Sequence, residues 1–150
     1  DNTSCASKKK MKSLKFNKIV KSPEECINLG IEFSKFISNG DIIILEGELG
    51  SGKTTFVKGV LKGFNYVFEV TSPTFTLINE YYADLKVIHI DFYREKNIMR
   101  WRNLGFEEII NNNDIILIEW SNLIPVLLPE DIKIIIFEHI EENKRNVFLK

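Results

Sequence analysis

Apolar and polar residues alternate along Leu14-Lys15-Phe16-Asn17-Lys18-Ile19-Val20, the two-residue period of a strand with one covered face. At Ser22 the period lengthens. Ser22-Pro23-Glu24-Glu25 offers a capping hydroxyl, a proline at the first helical position and a glutamate three residues past the cap. Cys26, Ile27, Leu29, Ile31, Phe33 and Phe36 then supply an apolar helix face, which Asn39-Gly40 is predicted to end. Asp41 to Leu45 is nearly all apolar, as a short central strand covered on both faces would be. After a glycine-rich loop, Phe56, Val57, Val60 and Leu61 mark a second helix that runs up to Gly63.

The second half is less regular. Val70 to Phe75 reads as a polar loop entering a strand, Phe75 to Tyr82, in which Tyr81 and Tyr82 take opposite faces. Leu85 to Asp91 is its hairpin partner across Ala83-Asp84. Met99 to Ile110 is predicted to be partly helical with a break at Gly105, and Asp114 to Glu119 to be a buried strand. Ile132 to Ile140 and Arg145 to Lys150 are strands paired through Glu141-Glu142-Asn143-Lys144. Strands alternating with helices, then hairpins, predict an α/β fold: one domain with a mixed parallel and antiparallel central sheet flanked by helices.

The glycine-rich loop carries the most specific chemistry. Gly47-Glu48-Leu49-Gly50-Ser51-Gly52-Lys53-Thr54-Thr55 fits Gly-x-x-x-x-Gly-Lys-Thr, with a buried strand before it and an amphipathic segment after it. The glycines let successive backbone N–H groups turn toward phosphate oxygens, and the helix adds the positive end of its dipole. Lys53 is expected to reach the β and γ phosphates, and the Thr54 hydroxyl to ligate Mg²⁺. A turn that merely ends a strand is the plainer reading. With glycine at roughly 7% of residues, these fixed positions coincide by chance only about once in a few hundred chains of this size. The loop is therefore read as the nucleoside triphosphate site of a P-loop NTPase-like domain. An Asn-Lys-x-Asp guanine-reading motif and an Asp-x-x-Gly switch are both missing from the sequence, which favours ATP over GTP.

Such a site also needs a carboxylate at the end of a neighbouring buried strand, for the metal. Ile115-Ile116-Leu117-Ile118-Glu119 ends in one, and His89-Ile90-Asp91 in another. Each is weighed against a solvated strand end, but an unpaired carboxylate in a sheet core is costly and an ion partner removes that cost. Thr54, Asp91 and Glu119 are thus the metal candidates, and Lys53, Asp91 and Glu119 the catalytic ones. Arg94 is read as a salt-bridge partner of Asp91 or Glu119, or as a neighbour of the γ-phosphate. His89 reads more readily as a satisfied core or rim histidine than as a catalyst, and Trp120 as packing or partner-facing.

Composition refines this picture only slightly. The 150 residues support one domain, and the net charge of −1 excludes any global electrostatic case for nucleic acid or membrane binding. Residues 1–21 hold seven lysines against the single acid Asp1, giving +6 and leaving about −7 on the remainder. These lysines are read as a frayed tail and then the solvent face of a strand, with a basic arm for RNA or an acidic partner as the alternative. Residues 1–10 are expected to be a disordered tail or a cloning scar, with Met11 the natural start and residues 11–150 the folded domain. Cys5 and Cys26 form no disulfide framework, and Cys26 reads as a small core residue. Without a membrane-length apolar stretch or a signal-peptide pattern, a cytoplasmic protein is expected.

Several strings then coincide in order and separation: the Gly47–Thr55 loop, Ser72-Pro73-Thr74-Phe75-Thr76-Leu77, His89-Ile90-Asp91-Phe92-Tyr93-Arg94 and Ile118-Glu119-Trp120. Together, with lesser matches at Leu104-Gly105 and Leu128-Pro129-Glu130, they resemble the bacterial TsaE (YjeE) family over about residues 13 to 140. The resemblance implies a protein that binds ATP with Mg²⁺, hydrolyses it weakly alone, and acts with the TsaD–TsaB pair. That assembly installs threonylcarbamoyl on the adenosine beside the anticodon of tRNAs reading codons that begin with A, so tRNA is met through the complex. It further implies that Lys53 and Thr54 hold phosphate and metal, that Asp91 and Glu119 are magnesium-associated acids, and that Ser72, Pro73 and Thr74 form a switch-like loop. Glu48 stands where the family often has Asp, with little consequence, since that side chain points away from the phosphate in most such loops. Two rivals remain: a small-molecule kinase, for which an Arg-rich lid is lacking, and a nucleotide-dependent binding module without turnover.

Overall fold

The computed structural model describes residues 16–48, 50–70, 77–92, 95, 97–120, 128–129 and 132–150. Seven strands, β1 (Asn17–Val20), β2 (Ile42–Gly47), β3 (Ile78–Tyr82), β4 (Lys86–Asp91), β5 (Ile115–Trp120), β6 (Lys133–Glu141) and β7 (Lys144–Leu149), form one sheet in the order β1-β7-β6-β2-β5-β4-β3. Its middle, β6-β2-β5-β4, is parallel, while β1, β7 and β3 join antiparallel at the two sides. The mixed sheet predicted above is therefore present.

Alternate residues of the central strands feed two cores. Ile43, Leu45, Val87, Ile115 and Leu117 face α1 (Pro23–Ser34) and α2 (Lys53–Gly63), whereas Ile42, Ile44, Ile88, Ile90, Ile116 and Ile118 face α3 (Ile98–Asn103) and α4 (Phe106–Asn111). Burial on both faces explains the unbroken apolar runs of β2 and β5. A chain of aromatic contacts, Phe16–Phe33–Phe56–Phe137, fills the first core, and Phe92, Trp101 and Phe106 pack mutually in the second.

Several predicted boundaries move. The first helix starts as expected, with the Ser22 hydroxyl accepting from the Glu25 N–H at 3.1 Å, but the Glu25 carboxylate accepts from the Lys21 N–H rather than from the cap itself. It ends at Ser34, not at Asn39-Gly40, because the Ser34 hydroxyl donates to the Ile31 carbonyl at 2.6 Å and the chain tightens into three-residue turns through Ile37. Its buried face is Cys26, Leu29, Gly30 and Phe33, continued by Ile37, while Ile27, Ile31 and Phe36 are only half covered. Strand β3 begins at Ile78; the predicted Phe75 start and the Ser72–Thr74 loop lie outside the described residues, as do Leu14, Lys15 and residues 1–10. Gly105, at φ 80°, separates α3 from α4 as expected. Tyr81 is buried and Tyr82 exposed, one on each face.

The two helices over the phosphate-loop face cross at glycines. A Cβ on Gly59 would fall on the Ile27 carbonyl oxygen and 3.0 Å from the Gly30 Cα; one on Gly30 would strike the Phe56 carbonyl. The obstacles are backbone, so relief means parting the helices. Gly59→Ala is expected to lower stability by roughly 1–3 kcal/mol despite alanine's better helix propensity. An unchanged denaturation midpoint would show that α1 and α2 do not cross this closely.

Candidate functional site

Strand β2 ends at Gly47, where a Cβ would sit 2.7 Å from the Phe137 carbonyl of β6, so the loop must leave the sheet on glycine. The turn is closed by the Ser51 N–H donating to the Glu48 carbonyl at 3.1 Å, and Gly52 caps α2 at φ 103°, a conformation unfavourable for side-chain-bearing residues. Helix α2 then begins on Lys53 itself. Lys53 is 5% exposed, and its ammonium donates to the carbonyls of Gly47 and, at 3.1 Å, Glu48. Burial pushes the Lys53 pKa below its ordinary 10.5, an effect opposed by the nearby carboxylates of Glu119 and Asp91.

Those carboxylates arrive by sheet parity. Val87, His89 and Asp91 share one face of β4, Ile115, Leu117 and Glu119 the same face of β5, and the register pairs Asp91 with Glu119. That face is the one α2 covers. The Thr54 hydroxyl lies 3.4 Å from Glu119 Oε1, and both acids are buried, at 6% and 7% exposure. The fold thus brings together Gly47, Glu48, Gly50 to Thr55, Asp91 and Glu119, while Leu49, Ser72, Pro73, Thr74, Tyr93 and Arg94 lie outside the described residues.

Three residues that the sequence reading did not place at the site lie beside it, two of them buried as that reading expects. His89, weighed there as a core or rim residue, is fully buried with Nε2 2.9 Å from Glu119 Oε2. The signal was its spacing of two from Asp91, which fixes both on one face. Cys26, read as plain core, packs its thiol 3.4 Å from the Gly52 carbonyl beneath the loop, and burial pushes that thiol up to about 11. Arg145, from the β6–β7 hairpin, donates to the Gly50 carbonyl at 3.4 Å, a contact across 95 residues that local pattern cannot announce. With Lys21, Ser22, Thr55 and Asn143 it lines a cavity of about 250 Å³ beside the loop. The cavity and the carboxylates lie on opposite sides of β2.

The donor set suits Mg²⁺. Among the described residues no three His, Cys, Asp or Glu side chains converge as a self-sufficient metal cage. A hydroxyl and one or two carboxylates beside a phosphate loop are what an ion completed by phosphate oxygens and water requires.

A loop of this kind between a central parallel strand and a helix, with carboxylates closing two adjacent strands, defines a P-loop NTPase-like α/β domain. The crystal structure of YdiB from Bacillus subtilis superimposes with a TM-score of 0.74 at 31% identity, over 91% of this chain and 85% of that one. A family model described as threonylcarbamoyl adenosine biosynthesis protein TsaE matches residues 20–147. The chain belongs to the TsaE family. It is 36% identical to the tRNA threonylcarbamoyladenosine biosynthesis protein TsaE of Bacillus subtilis, over 91% of this chain and 85% of that protein. With the protein of the same name from Aquifex aeolicus it shares 39% identity, over 86% and 91% respectively.

Proposed function

We propose that this chain binds ATP with Mg²⁺ and hydrolyses it slowly, in support of a TsaD–TsaB complex that installs threonylcarbamoyl on the adenosine next to the anticodon of tRNAs reading codons that begin with A. The observation that carries the reading is the convergence of Lys53 and Thr54, at the start of one helix, on the strand-end acids Glu119 and Asp91. In this reading the loop amides and the α2 N-terminus hold the β and γ phosphates, and Lys53 exchanges its loop carbonyls for phosphate oxygens. Thr54, Glu119 and Asp91 would hold Mg²⁺, whose charge would offset the negative charge of the phosphoryl oxygens. Few carboxylates are then left to orient the attacking water, in keeping with slow intrinsic turnover.

With the γ-phosphate toward β5 and β4, the base runs toward β6 and β7, where the cavity lined by Thr55, Ser22, Asn143 and Arg145 lies. By family resemblance, Ser72–Thr74 act as a loop that responds to the γ-phosphate, and hydrolysis resets the partner complex. The reading assigns the chain to the cytoplasm; among the described residues no helix is long and apolar enough to cross a membrane.

ATP hydrolysis by the purified chain, alone and with TsaD–TsaB and tRNA, tests the proposal. Slow turnover that rises with the partners, or modification that needs this chain and ATP, is expected. Fast turnover indifferent to the partners, or phosphate transfer to a metabolite, would replace it with a kinase reading.

A further inference from the structure

We propose that His89 is a positioning residue for Glu119: by donating from Nε2 to Oε2 it locks the carboxylate so that Oε1 faces Thr54. The inference rests on the reading of this site as one for ATP and Mg²⁺. On its face of the sheet His89 sits between Val87 and Leu117, both fully buried and apolar, and the polar Asn79 and Asp91, and packing against the apolar pair alone would be served by another aliphatic side chain. A buried imidazole without a hydrogen bond loses its hydration for nothing. The bond it makes is specific: Nε2 lies 2.9 Å from Glu119 Oε2, and Nδ1 has no hydrogen-bond partner among the described residues. A ring nitrogen against a carboxylate carries a proton, so the bond runs from His89 to Glu119.

The geometry assigns the two oxygens of Glu119 different tasks. Oε2 turns back along the sheet to the histidine, one side-chain layer below, and Oε1 turns forward to the Thr54 hydroxyl at 3.4 Å. His89 reaches Glu119 on the diagonal because Asp91, two residues further on, occupies the position directly opposite. Without the donor, the carboxylate is free to rotate away from Thr54 or toward Lys53. The orientation is then no longer fixed before the ion arrives.

The variants His89→Leu, which keeps the bulk without a donor, and His89→Gln, whose amide nitrogen stands near the position of Nε2, separate this role from packing. Binding of a fluorescent ATP analogue is measured in chelator and then across a MgCl₂ titration, with hydrolysis and melting followed in parallel. For His89→Leu, affinity in chelator is expected to stay within about two-fold while the Mg²⁺ concentration for half-effect rises about ten-fold or more, and His89→Gln should recover most of that shift. An unchanged Mg²⁺ dependence in a folded His89→Leu protein overturns the proposal, as does equal impairment of the two variants. Should His89→Leu not fold, His89→Asn replaces it, with an amide one bond too short: a shift in Asn but not in Gln supports the role, and no difference between them rejects it. If the wild type binds no ATP analogue, or Lys53→Ala binds it equally well, the ATP reading itself has failed and the proposal falls with it.

Discussion

Glu119→Ala is expected to abolish Mg²⁺-dependent ATP hydrolysis, by at least about 100-fold, while the protein stays folded. Glu119 combines three features that no other acid among the described residues shares. It stands one residue before the end of a strand buried on both faces, its Oε1 lies 3.4 Å from the hydroxyl that follows the loop lysine, and its Oε2 is held by a buried histidine. The backbone at this position is independent of the side chain: the Glu119 carbonyl accepts from the Phe92 N–H at 3.0 Å, and β5 stays paired between β2 and β4. Loss of the carboxylate leaves His89 Nε2 without its acceptor, which costs about 1–3 kcal/mol of stability. Turnover against MgCl₂ concentration, with a melting curve on the same sample, checks the result. Full activity with normal metal dependence would show that Glu119 only closes its strand.

Lys53→Ala is expected to weaken ATP binding by roughly 2–5 kcal/mol, the range for removing one partner of a buried charge-assisted contact. Calorimetry or fluorescence titration reads this directly, and unchanged affinity would sink the assignment of the loop. The wild type carries a matching pH signature. Only the protonated lysine attracts phosphate, and burial holds its pKa below the ordinary 10.5. Affinity therefore falls as pH rises through the alkaline range beneath that value, and Lys53→Ala should remove this component of the decline. A decline of the same size in the variant would place the titrating group elsewhere.

The fold was legible wherever a local cause was strong. Ile42 to Leu45 of the predicted Asp41–Leu45 run lie in a central strand because both its faces are covered, and Gly105 broke a helical stretch because it takes positive φ. Legibility failed where a non-local contact decided the outcome. Ile27 and Ile31 fit the helical period as well as Leu29 and Phe33 do, yet α1 turns its glycine, not its isoleucines, toward α2, because the helices meet backbone to backbone at Gly30 and Gly59. Its end at Ser34 likewise depends on a hydroxyl bonding back onto the helix.

The sequence by itself determined the chemistry: a glycine loop ending in Lys53-Thr54, acids at the ends of apolar strands, and the strings that mark the family. These are local facts, fixed by spacing along one segment. Tertiary structure alone decided which groups meet. Parallel pairing of β4 and β5 in a register that sets Asp91 against Glu119 is what puts both acids, with His89 behind them, on the face covered by α2. A one-residue slip would turn that set to the opposite face. The β6–β7 hairpin brings Arg145 to the loop in the same way. Residues far apart in the chain become one site only through register and strand order, and neither is written in any single segment.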